Sequence, residues 1–251
     1  MSAIVVFATT VFLSAFLLFQ IQPIVAKMIL PWFGGSSSVW STCIVFFQSV
    51  LLLGYGYVHW LHEKVSKARQ PLVHAALLIV SLATLPVAAD ASWKGMTLDY
   101  PSLAVLAVAC GAPYLLLSTT GPLMQAWYAR VGVASGDGSK AYRLYALSNL
   151  ASMLALLTYP VFIEPAMALE AQASSWSIAY VVFVAAALGT AWLTWRAGGA
   201  VTSALGLLAP DEERGSGDHH QQRGSGQQEQ REGSPVGIHR FRHATVAHSF
   251  R

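Results

Sequence analysis

Six long apolar runs fill the chain from residue 3 to about 200, joined by short polar segments, and then the pattern turns abruptly polar. A helix needs about 20 mainly apolar residues to cross the hydrocarbon of a bilayer. The runs at 3–24, 39–61, 71–89, 102–120, 143–163 and 175–195 therefore predict about six transmembrane helices. The third and fourth are short for the purpose. Pro113 and Pro122 interrupt the fourth. The stretch Gly121–Arg130 (GPLMQAWYAR) is expected as a kinked continuation or as a helix lying at the interface, where Trp127, Tyr128 and Arg130 suit the headgroup level. The fold class read from this pattern is all-α integral membrane, with a six-helix domain over 1–197.

Composition sharpens the picture. Of 251 residues, 55% are hydrophobic and 11% charged, against about 25% charged in an ordinary soluble domain. Twelve of the 27 charged side chains lie in 210–251, which leaves 15 for the first 209 residues. Such a segment cannot coat itself for water, but in lipid its outer surface should be apolar. The lipid bilayer is thus the first expected partner. The net charge of +3 is small and spread out, so no nucleic acid is expected. Cys43 and Cys110 both lie inside apolar runs and read as small core residues rather than as a disulfide or a metal site. The first run lacks a basic flank before it and a clean cleavage site after it, so it reads as an uncleaved helix.

Loop charge gives orientation. Segment 62–70 carries Lys64, Lys67 and Arg69 against Glu63, and 129–143 carries Arg130, Lys140 and Arg143 against Asp137. The alternate segments 25–38, 90–101 and 164–174 are poor in base. Basic loops stay cytoplasmic, which places both termini there. Residues 198–251 are rich in Gly, Ser, Gln, Arg and His, with GSG at 215–217 and again at 224–226. Little in that tail is apolar enough to bury, so disorder is expected. The composition fits an evolved linker and equally the product of a reading-frame change in GC-rich DNA.

Polar residues inside apolar runs are the candidate functional positions. Lys27 ends the first run within QIQPIVAKMILPWFGG. It reads as a snorkelling lysine, or as a cation lining a way into the bundle. Pro23, Pro31 and Gly34–Gly35 make a broken, re-entrant segment a second expectation there. Thr119 and Thr120, in STTGP, offer hydroxyls beside a proline kink. They serve either the backbone groups that the proline frees or a substrate. Ser148, Asn149 and Ser152 lie inside the fifth run, with Asn149 and Ser152 on one helix face. They suit helix–helix hydrogen bonds, worth about 0.6 kcal/mol per contact, or a substrate. His59 and His62 could share a face, but two histidines without a third ligand make a weak metal signal. Gly54-Tyr55-Gly56 follows no strand and is not a nucleotide loop. No two carboxylates sit close together in the apolar region. No catalytic residue, metal site or cofactor is expected.

Three stretches carry a resemblance: LLFQIQPIVAKMILPWFGGSSSVWSTCIVFFQSVLLLGYGYVHWL (17–61), GAPYLLLSTTGPLMQAWYAR (111–130) and YRLYALSNLASMLALLTYPVFIEP (142–165). Together they resemble the membrane region of bacterial spermidine synthase-like proteins, which fuse a transporter-like bundle to an aminopropyltransferase-like domain. The resemblance covers residues 3 to about 195. It implies a bacterial inner membrane and a cytoplasmic synthase-like domain that binds decarboxylated S-adenosylmethionine and a polyamine. The chain leaves the family pattern near residue 200 and has none of that domain's Gly-rich or acidic motifs. What the resemblance implies is therefore a non-catalytic multi-pass module, alone as a homo-oligomer or beside a separate soluble synthase-like partner. The alternative is a transporter of a small molecule, with a polyamine as one option, acting as an oligomer of six-helix halves. A polyamine carrier would call for carboxylates or aromatic cages near mid-depth. The sequence offers aromatics such as Trp40, Tyr55, Tyr57 and Tyr114, but no Asp or Glu well inside a run.

Overall fold

A computed structural model of the chain describes residues 3–33, 37–88, 101–134 and 141–208. Among these the regular structure is entirely helical. Helix α1 is Ala3–Ile29, α2 is Ser37–Lys64 and α3 is Gln70–Ser81, extended by a 3-10 turn at Leu82–Thr84. Helix α4 covers 101–134, with a π-helical turn at Ala107–Gly111 between Pro101–Leu106 and Ala112–Ala134. Helix α5 covers 141–166, with a π-helical turn at Tyr159–Ile163. Helix α6 is Leu169–Leu208. Five of these, all except α3, are long and apolar enough to cross a membrane.

The third run makes the exception, and its chemistry says why. Ser81 and Thr84 turn their hydroxyls back onto the Leu78 and Ser81 carbonyls. Leu85 then leaves helical geometry for φ −90°, ψ 153°. It precedes Pro86, whose ring excludes the α conformation at the residue before it. Instead of one long helix over 71–89, the chain makes a short helix and then an extended segment. The Val87 N–H donates to Ser177 Oγ of α6 at 3.1 Å.

The fourth run resolves the other way. Helix α4 runs unbroken through Pro122, so Gly121–Arg130 continues it. Trp127 and Tyr128 are buried in the packing rather than placed on an outer belt. Helix α1 is likewise unbroken through Pro23 and ends only in the turn at residues 30–33. Up to that turn no re-entrant segment forms, and Gly34–Gly35 lie outside the described residues. Helix α6 carries on past residue 197 through Leu208. The remainder of the expected tail, 209–251, lies outside the described residues.

Helix α1 is the axis of the bundle, packed along α4, α5 and α6. Ile21, Ile24 and Val25 seat against Trp176, Tyr180 and Phe183, and the Trp176 indole donates to the Leu17 carbonyl at 2.9 Å. Helix α2 packs chiefly on α4, and α5 chiefly on α1. The two flanking helices thus stand on either side of an α1–α4 seam. Leu52, Val80, Phe162 and Ile178 project outward, each more than 60% exposed, as lipid-facing side chains should.

Candidate functional site

The α1–α4 seam opens into a cleft of about 480 Å³ bounded by α1, α2, α4 and α5. Its floor comes from Ser14 and Leu18 on α1 and from Ser118, Gly121, Pro122 and Gln125 on α4. Its sides are Leu51 and Tyr55 on α2 and Tyr145, Ser148, Asn149 and Ser152 on α5. Gly121 keeps the floor low, since a Cβ there would meet no atom within 4 Å. Pro122 has no N–H to give, so the Ser118 carbonyl one turn earlier loses its helical donor. Gly54 has the opposite job. A Cβ on it would fall 2.1 Å from Ser118 Oγ, so its bareness lets α2 approach α4 closely beside the cleft.

The hydrogen-bond accounting shows what the cleft offers. Ser14, Ser118 and Ser152 donate their hydroxyls to the Val11, Leu115 and Ser148 carbonyls of their own helices, at 3.0, 2.7 and 2.9 Å. Their protons are spent while their oxygens can still accept. Among the described residues, the side-chain amides of Gln125 and Asn149 have no hydrogen-bond partner. Each keeps two donors and an acceptor. No Asp, Glu, Lys or Arg lines the cleft. Such a lining can hold a polar, uncharged molecule.

The sequence candidates divide cleanly. Ser148, Asn149 and Ser152 all line the cleft. Thr119 and Thr120 do not. Both are fully buried and bonded to the Leu116 carbonyl, at 2.7 and 2.9 Å. Lys27 also stands apart. It pairs with Glu164 at the far end of α5, and its ammonium lies 5.7 Å from the Tyr159 ring centroid. With side chains 41% and 42% exposed, this pair pins two helix ends and faces solvent. Of the aromatics, Tyr55 lines the cleft, Tyr114 is buried and accepts from Gln22 Nε2 at 3.2 Å, and Trp40 is exposed.

Two further polar groups escaped sequence reasoning. At the end opposite Lys27, Arg130 Nη2 donates to Gln70 Oε1 at 2.6 Å, and Gln70 Nε2 donates to the Leu61 and Val65 carbonyls. This network ties the ends of α2, α3 and α4 together. Deeper in, Tyr57 Oη sits 3.5 Å from His74 Nδ1, and the His74 ring meets Trp127 edge-on. His74 Nε2 and Trp127 Nε1 are buried with no hydrogen-bond partner among the described residues. Their separation in sequence hid both groups. Among the described residues no three metal-ligating side chains come together. Cys43 and Cys110 are buried and unpaired.

No protein-family model, curated protein or solved structure matches this chain.

Proposed function

We propose that the chain is a non-catalytic multi-pass membrane module whose α1–α2–α4–α5 cleft binds a small, uncharged polar solute for passage across the bilayer. One observation carries the reading: amides and hydroxyls surround a cavity between helices apolar enough to sit in lipid. Polar groups at that depth are expensive and tend to mark a solute path. The size also falls within the usual range for small-molecule sites, roughly 300–1,000 Å³. By loop charge, the end carrying Lys64, Lys67, Arg69 and Arg130 faces the cytoplasm of a bacterial inner membrane.

The resemblance to spermidine synthase-like fusions supports the same module with a polyamine as its cargo and a separate synthase as partner. The neutral lining argues against that cargo, because ammonium groups leaving water need carboxylates or an aromatic cage. Proteoliposome uptake of labelled glucose, uridine and spermidine separates the two. Uptake of a neutral solute above protein-free vesicles, reduced at least tenfold in the Gln125→Leu/Asn149→Leu double variant, is the expected result. Spermidine uptake alone would establish the polyamine reading instead. Equal leakage with and without protein would end the transport reading.

A further inference from the structure

The outer face of α2 carries a mid-span amide, Gln48, that lipid does not explain. Ser41, Val45, Gln48, Leu52, Tyr55 and His59 are all exposed. Their spacing alternates four and three residues, so they line up as one seam along the helix. Gln48 sits near the middle of the spanning segment Val39–Lys64. Among the described residues its amide has no hydrogen-bond partner. Left facing hydrocarbon, those unpaired donors and acceptor would carry a heavy desolvation penalty. The seam is also uncharged from Ser41 through Tyr55, with no Asp, Glu, Lys or Arg at any of its positions.

We infer that α2 is a homodimer seam, on which the α2 helix of a second copy of this chain lies parallel, with Gln48 facing Gln48 across the two-fold axis. The inference rests on the membrane placement above and not on the solute. Two copies inserted in the same orientation are related by an axis along the membrane normal. Any residue near that axis therefore meets its own counterpart at the same depth. A charged residue at the centre would repel itself there. A carboxamide, donor and acceptor at once, is self-complementary. This matching is what selects a second copy over an unrelated helix. A single polar residue at an a position also fixes the register of such a pair. Tyr55 belongs to both the seam and the cleft, so the second copy walls the cleft on its α2 side.

Disulfide trapping in native membranes tests this. In a background with Cys43 and Cys110 replaced by alanine, single cysteines are placed along α2 from Ser41 to Tyr55 and, as controls, at Leu150 and Met153, which are exposed on α5. Dimer cross-links that peak at 41, 45, 48, 52 and 55 and fall away between them are expected, with little at the controls. Equal cross-linking at the α5 controls, or no periodicity along α2, overturns the inference. Gln48→Ala should weaken dimerisation by about threefold to tenfold in single-molecule measurements in bilayers. Wild-type protein that stays monomeric there also overturns it. Solute uptake enters neither readout, so the dimer and the transport reading fail separately.

Discussion

Glycine, serine and the two amides decide most of what happens at the level of single residues. Gly54 faces Ser118, whose hydroxyl is fixed on the Leu115 carbonyl at 2.7 Å. A methyl group at residue 54 must displace that hydroxyl or push α2 off α4. Gly54→Ala should therefore destabilise the protein by about 1–3 kcal/mol, the usual penalty for overpacking. Gly56, with nothing within 4 Å of its would-be Cβ, should accept alanine without loss. Thermal unfolding of the two variants in detergent checks the contrast. The chain itself pointed to Ser148, Asn149 and Ser152, because polar residues inside an apolar run are conspicuous on any helix. It could not separate them from Thr119 and Thr120, which are as polar and as deep in their run. The difference is angular: the threonines face the packed interior and spend their hydroxyls on the turn before, whereas the α5 residues face the seam.

Between elements, the bundle is pinned by polar contacts near both ends and by apolar packing between them. The Arg130–Gln70 bond at 2.6 Å is the tightest tie at its end, joining α4 to α3, and Gln70 also holds two carbonyls of the α2 terminus. Gln70→Leu removes all three bonds and leaves the guanidinium beside His62, at 3.4 Å. Losing the partner of a charged group costs about 1.5–3 kcal/mol, so the variant should unfold at lower temperature. Gln70→Glu keeps an acceptor for Arg130 and should lose less. The exposed Lys27–Glu164 pair is the weaker tie, since a solvated ion pair contributes about 0–1 kcal/mol. Helix number was nearly legible in the runs alone. Only the third is not one long helix, and the cause was local: two serine-type hydroxyls bonding backward and Pro86 forcing Leu85 out of the helix.

At the scale of the whole molecule, the contacts fix an up-and-down order. Phe7 at the start of α1 meets Tyr128 near the end of α4, while Lys27 at the end of α1 meets Glu164 at the end of α5. The α2–α3 loop and the α5–α6 loop therefore sit at opposite ends. The orientation proposed from loop charge puts the first in the cytoplasm. A membrane-impermeant maleimide should then label Ser66→Cys only in inverted vesicles and Ala168→Cys only in right-side-out vesicles. Cys43 and Cys110, being buried, should stay silent. The reverse labelling would invert the topology.

Hydrophobic run length and charge scarcity made an all-helical chain with helices long enough to cross a membrane legible from sequence alone, because a bilayer demands long apolar helices and leaves few alternatives. Loop chemistry supplied the proposed orientation, and isolated polar residues marked one wall of the cleft. Tertiary structure decided the rest. It placed Ser14, Gln125 and Tyr55 opposite Asn149, sent Lys27 to a distant ion pair, and stopped α3 short. These outcomes depend on which faces of the helices meet. In a chain this apolar all round, the stripe that would fix those faces is too faint to read before the helices pack.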